Sequence, residues 1–243
     1  MKNGKDSSMN ALVLLPGLEG TGSLFADLVS QLPTTLNITI ARYPTERFLS
    51  YAELIPFVQE MFPKTGPFVI VAESFSTPLG VMLAAFRPPN LAGLVLCAGF
   101  IRSPIGNLSF LARPLVHPFL FRFPPPSFTL KFFSTGFNPP AGLEARVRAA
   151  NQQVDPAVIA KRVRAVLDCD VRDDLARTEI PLLYIQGEKD HLVWRRCFEE
   201  IRRVRPDARL ESISAPHLVL QREPKIAAEI ILRFMESMTS TPK

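Results

Sequence analysis

The chain has 243 residues, 47% of them hydrophobic and 21% charged. That is enough apolar material to bury one α/β core, with an insertion as the default departure, and too much for disorder to describe the whole chain. The net charge is +5, and the three cysteines, Cys97, Cys169 and Cys197, are odd in number and lack metal-ligand spacing. This argues against a disulfide framework or a cysteine zinc site and fits a reducing cytoplasm. A nucleic-acid binder gathers its cations on one recognition element. The densest group here, Arg195, Arg196, Arg202, Arg203 and Arg205, is interleaved with Glu199 and Glu200 at helical spacing and reads as a solvated helix face.

In chain order, Lys2 and Lys5 precede the apolar run 11–15, which is too short for a signal-peptide core and closes on Pro16-Gly17, so it reads as a first buried strand. Residues 23–32 carry Leu24, Leu28 and Leu32 at helical spacing. Residues 38–41 form a second short strand, and Ser50-Tyr-Ala-Glu53 is a capping box opening a helix through Leu54, Phe57, Val58 and Met61. A third strand over 68–72 runs through Glu73-Ser74-Phe75-Ser76 into a helix over 78–86, with Pro78 where its missing N–H costs little. Strands over 91–98, 182–186 and 208–212 follow, with helices over 193–204 and 223–238. Repeated strand-then-helix order implies a parallel sheet covered on both faces.

Between the fourth and fifth strands lie about eighty residues without a strand, a connection that needs structure of its own or serves as a lid. Half of the 18 phenylalanines fall between residues 100 and 140, and the second half of this stretch, 143–167, reads as helix. There is no internal repeat. The first few residues and 239–243 read as tails. The longest uncharged stretch, 88–101, is broken by Gly93 and Gly99 and falls short of the roughly 20 residues that cross a bilayer, so no stable membrane insertion is expected.

Ser74 lies where an apolar strand turns directly into a helix, which raises its hydroxyl above the carboxyl edge of the sheet, where open parallel sheets bind ligands. Ala72 and Ser76, both small, flank the turn where glycine is usual. The alternative is that Ser74 or Ser76 merely caps the following helix. Asp190 follows the fifth strand in Gln186-Gly-Glu-Lys-Asp190-His-Leu-Val, and His217 follows the sixth in Ser214-Ala-Pro-His217-Leu. The order Ser, Asp, His, each just past a different strand, is far more specific than any one of these placements.

These segments, together with Leu14-Leu-Pro-Gly-Leu-Glu-Gly-Thr-Gly and Ala72-Glu-Ser-Phe-Ser, resemble the α/β-hydrolase superfamily over nearly the whole chain. The resemblance implies an α/β fold with a minimal six-stranded, mostly or wholly parallel sheet, since two strands usual before the Pro-Gly loop have no counterpart here. It implies helices on both faces and a helical cap over 101–169, with the core formed by 1–100 and 170–243. It makes Ser74 the nucleophile, His217 the base and Asp190 the orienting acid, with an oxyanion hole from the N–H groups of Phe75 and Leu18, or of Glu19 in place of Leu18. The phenylalanines of the cap either pack it on the core or line an acyl pocket.

Competing residues are weaker. Glu188 comes earlier in its loop, and Cys97-Ala-Gly-Phe100 holds no carboxylate. Asp168, Asp170, Asp173 and Asp174 suit solvated or capping roles, His117 a structural one, and His191 points away from the site if Asp190 points toward it. No metal-ligand spacing and no nucleotide loop is present, and Gly17, Gly20 and Gly22 lack the Lys-Ser/Thr ending of a phosphate cradle. The expectation is therefore a cofactor-free cytoplasmic serine carboxylesterase, broadly similar to small esterases of the pimeloyl-carrier-protein methyl esterase kind. Its expected partner is a small, short-chain acyl ester, with no nucleic acid and an open oligomeric state. Thioesterase, acyltransferase and lipase share the triad, and a non-catalytic binding protein on the same scaffold is the alternative from another class.

Overall fold

A computed structural model describes residues 10–239. The expected tails, apart from Thr239, lie outside the described residues. The sheet contains β1 (Ala11–Leu15), β2 (Asn37–Ile40), β3 (Phe68–Glu73), β4 (Leu91–Cys97), β5 (Leu182–Gly187) and β6 (Arg209–Ile213) in the order β2-β1-β3-β4-β5-β6. Every pairing is parallel. Helices α1 (Ala26–Ser30), α2 (Tyr51–Gln59) and α3 (Thr77–Ala85) follow the first three strands in turn. The fourth crossover carries α4 (Ser109–Ala112), α5 (Ser127–Leu130), α6 (Leu143–Gln152), α7 (Pro156–Asp168) and α8 (Arg172–Ala176). The chain ends with α9 (Arg195–Val204) between β5 and β6, then α10 (Val219–Arg222) and α11 (Pro224–Thr239).

Alternation along each strand sorts side chains to two buried faces, as a sheet covered on both sides requires. Ala11, Val13, Leu15, Ile70 and Ala72 join the cluster that includes Leu54, Leu79 and Ile201 of α2, α3 and α9. Leu12, Leu14, Val69 and Val71 join the opposite cluster, with Leu28 of α1 and Ala227 and Ile231 of α11. The capping box at Ser50 forms in full, with the Ser50 N–H donating to Glu53 Oε2 (2.8 Å) and the Glu53 N–H donating to Ser50 Oγ (3.3 Å).

The structure departs from the sequence expectation in three places. The helix expected over 143–167 is two helices, because Pro156 has no N–H to continue α6 and instead opens α7, with Asp155 accepting the Ala157 N–H (2.6 Å). The basic run on α9 is only partly a solvated face. Arg195 meets Glu199 at 4.0 Å, but Glu200 meets Arg102 at 3.7 Å. Arg205 is buried, donating to Thr178 O (2.7 Å), Ile180 O (2.9 Å) and Asp207.

The insertion leaves and re-enters the core at one place. An antiparallel bridge joins Arg102 to Asp170, Ser103 N–H donates to Cys169 O (3.1 Å), and Val171 N–H donates to Ile101 O (2.7 Å). Among the described residues no helix is long and apolar enough to cross a membrane.

At the carboxyl end of β5 the chain passes directly beneath the segment that follows β6. A Cβ on Gly187 would lie 2.6 Å from Pro216 O and 2.7 Å from Ala215 O, backbone atoms that cannot swing aside. Gly187→Ala should therefore lower stability in urea denaturation by about 1–3 kcal/mol. Unchanged stability would mean that the segment carrying His217 is free to shift.

Candidate active site

β1 is flanked by both β2 and β3, so successive connections leave it in opposite directions and a crevice opens at the carboxyl ends of β1 and β3. Ser74 stands there. Its backbone has φ 48°, in the left-handed region that a non-glycine residue rarely adopts, because β3 turns into the helical segment without a loop. The turn is held from several sides. Ser76 Oγ hydrogen-bonds with Tyr43 Oη (2.7 Å) and donates to Pro16 O, and it makes no cap bond to α3. Thr77 Oγ1 donates to Ser74 O (2.8 Å) and accepts the Phe100 N–H (3.0 Å). Ala72 must be small because α3 lies close: a Cβ on Gly80 would fall 2.9 Å from the Ala72 Cβ.

His217 sits on the segment after β6 and is buried, with Nε2 2.8 Å from Ser74 Oγ and Nδ1 2.7 Å from Asp190 Oδ2. A carboxylate only accepts, so Nδ1 carries the hydrogen and Nε2 is left to accept from the serine hydroxyl. Asp190, itself buried, fills its other oxygen with the N–H groups of Leu192 (2.8 Å) and Val193 (2.9 Å). Burial opposes the imidazolium of His217, but the charge and hydrogen bond of Asp190, with a further contribution from the Glu73 charge, outweigh it and raise its pKa above 6.5. The Leu218 N–H donates to Ser134 O of the insertion (3.1 Å), which ties this segment down from above.

Leu18 and Phe75 line the same cavity as Ser74 and His217. Phe75 belongs to the first turn of a helix, where backbone N–H groups have no partner within the helix. Its carbonyl accepts from Tyr51 Oη (2.8 Å), and its ring stacks on Tyr51 at 5.0 Å.

Three residues that sequence reasoning passed over shape the site. Arg162 of α7, only 2% exposed, donates to Leu18 O (2.9 Å), Glu19 O (2.8 Å) and Pro44 O (2.9 Å), and its guanidinium lies 5.8 Å from the Tyr43 ring and 5.9 Å from the Phe75 ring. It fixes the first loop from the insertion. Its signal in the sequence was a cation on the apolar stripe of Val158 and Val166. Glu73 and Glu19 are the other two. Both are buried and converge on Gly17, where a Cβ would lie 3.8 Å and 3.3 Å from their Oε2 atoms. Glu73 Oε2 accepts from Gln221 Nε2 (3.1 Å), while its Oε1 has no partner. Burial first, then the Glu19 charge, push the Glu73 carboxyl up to about 7 against the pull of Gln221 and His217. Glu19 is also raised by burial, opposed by the N–H groups of Glu19, Gly20 and Gly22 and by Arg162.

The remaining sequence candidates lie outside this arrangement. His117 Nδ1 accepts the Phe119 N–H (3.2 Å), and His191 stacks on Phe132 at 4.6 Å. Asp168 pairs with Arg113 (2.8 Å), Asp170 with Arg172 (2.6 Å) and Asp174 with Arg177, while Glu188 is exposed. Among the described residues no group of His, Cys, Asp and Glu side chains is placed to hold a metal. The cavity over Ser74 measures about 310 Å³ and is walled by apolar side chains from the insertion and β5–α9 loop, including Ile105, Val147, Val163, Val166 and Leu192.

Neither a scan against protein-family models nor a search of curated proteins found a match. Solved structures do match over nearly the full chain. A lipase-esterase related protein from Clostridium acetobutylicum is 17% identical over 93% of this chain and 95% of its own, with TM-score 0.75. The enol-lactonase from Burkholderia xenovorans is 19% identical over 94% and 92%, with TM-score 0.72. An esterase from Exiguobacterium antarcticum is 15% identical over 94% and 92%, with TM-score 0.75. The chain has the α/β-hydrolase fold.

The raised Glu73 carboxyl makes stability depend on pH with a definite sign. The folded state holds its proton up to about pH 7, whereas the unfolded chain releases it near 4.5. Stability is therefore fully present below 4.5 and is lost as pH rises through 7. Glu73→Gln, which mimics the neutral acid, should match the parent near pH 4.5 and exceed it at pH 8 by about 3 kcal/mol in urea denaturation. Equal pH profiles for the two proteins would show that Glu73 ionises freely in the folded state.

Proposed function

We propose that the protein is a serine hydrolase, a carboxylesterase that cleaves uncharged acyl esters through an acyl-enzyme on Ser74. The reading rests on one observation above the others: a continuous hydrogen-bonded line from Ser74 Oγ through His217 to Asp190, standing in an apolar cavity at the switch point of the sheet.

In this reading His217 Nε2 takes the proton as Ser74 Oγ attacks the ester carbonyl, and Asp190 holds the tautomer and balances the imidazolium. The oxygen that becomes negative faces the N–H groups of Leu18 and Phe75, each of which contributes on the order of 3 kcal/mol to the transition state. The alcohol departs with the proton from His217. A water, deprotonated by the same imidazole, then releases the acid and restores Ser74. The segment 101–169 acts as the cap over the core, 1–100 and 170–243. Its apolar walls receive the acyl group, and Arg162 lets the cap hold the loop that supplies one oxyanion donor.

The test is hydrolysis of p-nitrophenyl esters from acetate to palmitate beside Ser74→Ala and His217→Ala. Saturable turnover on the shorter chains should fall by about a million-fold in kcat in either variant. No turnover at any chain length, or turnover that survives Ser74→Ala, would overturn the reading, and faster turnover of thioester donors would replace esterase by thioesterase on the same triad. Because the neutral imidazole is the active base, kcat/KM should rise with pH through a midpoint above 6.5, as the raised His217 pKa requires.

A further inference from the structure

The first half of the insertion exposes what a soluble surface normally hides. Phe110, Leu111, Leu115, Phe119, Leu120 and Phe123 are each more than half exposed, and they fall within one short segment. That segment is held on α7 by three of its residues: Ala112, Val116 and Phe121 turn inward, against Ala160, Val163 and Leu167. The outward side chains are thus fixed in place by the inward ones, and two of them, Phe119 and Phe123, meet edge to face at 5.8 Å. A cluster of large exposed apolar side chains on one short segment of this kind marks a docking site.

Charge selects the occupant. Residues 101–169 hold nine Lys and Arg against three Asp and Glu, a net of +6, which leaves 19 cations and 20 anions, a net of −1, on the rest of the chain. The net positive charge of the protein therefore sits on the insertion. From Phe100 to Leu143 there is no acidic residue at all, while Arg102, Arg113, Arg122 and Lys131 are spread through the stretch, with Arg102, Arg113 and Lys131 meeting the acids Glu200, Asp168 and Glu144 from outside it. Large apolar side chains standing out among cations, with acids excluded, are the composition that binds an anionic lipid surface, the apolar groups entering the acyl boundary and the cations meeting the headgroups. An acidic protein would satisfy the cations, but it gives six protruding Leu and Phe side chains no apolar phase to enter.

The same surface connects to the site. Leu120, Phe121 and Phe123 line a cavity of about 410 Å³ whose inner wall includes Leu18 and Asn151, and these two residues also line the cavity over Ser74. From Leu120, Phe119, Leu115, Phe110 and their neighbours we infer that the cap is a peripheral docking face for anionic lipid bilayers, and that the site takes acyl esters partitioned into the lipid through the cavity beneath Phe123. The docking stands on the surface alone; only the fate of the ester rests on the esterase reading.

The test uses the full chain with sedimented vesicles of phosphatidylcholine, with and without about one third phosphatidylglycerol. The wild type should bind the anionic vesicles about tenfold more strongly than the zwitterionic ones, and salt should weaken that binding. The triple variant Phe110→Ser, Leu115→Ser, Phe119→Ser, none of whose positions lines either cavity, should lose about tenfold or more in vesicle binding while hydrolysing p-nitrophenyl acetate at the parental rate. Ser74→Ala should bind vesicles as the parent does. This separates the two claims, since loss of turnover in that variant bears on the esterase reading and loss of vesicle binding in the triple variant bears on docking. Wild-type protein that stays in the supernatant, equal binding to both vesicles, or a triple variant that binds unchanged would overturn the inference. So would a concentration-dependent dimer that the triple variant abolishes, or binding to an acidic acyl-carrier protein without binding to vesicles.

Discussion

The left-handed backbone at Ser74 is the constraint around which the site is arranged. A strand buried on both faces that passes into a helix without a loop must reverse its backbone sense within one residue, and doing so at a residue with a Cβ costs on the order of 1–3 kcal/mol. That cost is met by bonds that form only when the turn is made. Ser76 reaches Pro16 O and Tyr43, Thr77 ties Ser74 O to the end of β4, and Tyr51 takes up Phe75 O. The same bonds join the turn to the loop after β1, so Ser74 and that loop are positioned by one network. Gly80 and Ala72 complete it, because α3 approaches β3 too closely for larger side chains.

Electrostatics around the turn follows from unequal solvation of three buried carboxyl groups. Asp190 receives two backbone N–H groups and an imidazole, so each of its oxygens is satisfied. Glu19 is surrounded by the N–H groups of its own tight loop and by Arg162. Glu73 has only Gln221, and one oxygen lacks any partner. Burial therefore falls hardest on Glu73, which holds its proton near neutrality. The arrangement limits negative charge at Glu73, directly beside Ser74. In the proposed reaction an unpartnered buried carboxylate next to the developing oxyanion would oppose it; a neutral acid there does not.

Much of this was legible in the sequence because it is carried by local pattern. Six apolar runs with helical spacing between them gave the strand order its parallel sense, the small residues around Ser74 marked the sharp turn, and Asp190 and His217 were placed by the strands they follow. The structure brings those three side chains into hydrogen-bonding line. What escaped depends on approach between segments distant in sequence. Arg162 was one cation among several on an amphipathic helix until α7 was seen to cross the loop after β1. Glu73 was named only as part of the turn sequence, although a charge ending a wholly buried strand was a signal. Arg205 was read with its neighbours as a solvated face, whereas the chain turns after α9 and drives it inward onto Thr178 and Ile180. The Pro156 break between α6 and α7 was legible from Asp155-Pro156 but was smoothed over by the apolar period on either side.

The partition of charge follows from how the two parts of the chain are built. The core closes its faces with helices, and on its residues acids and bases nearly balance. The insertion has no sheet to cover, and its first half is wound from turns too short to bury both sides, so Ala112, Val116 and Phe121 pack on α7 while their larger apolar neighbours face outward. In a protein surrounded only by water such a segment would be expected to carry polar residues at the outward positions, since nothing in the packing requires Phe110, Leu115 or Phe119 to be large. Their size does little for the chain itself: each is more than half exposed, and Phe119 meets Phe123 edge to face. It does serve a low-dielectric phase beyond it, and the exclusion of acids from the same stretch removes the one side chain that such a phase, if anionic, would repel. In the proposed reading the core supplies the chemistry, and the insertion, hung on it through Arg162 and Ser134, sets the side from which a substrate arrives.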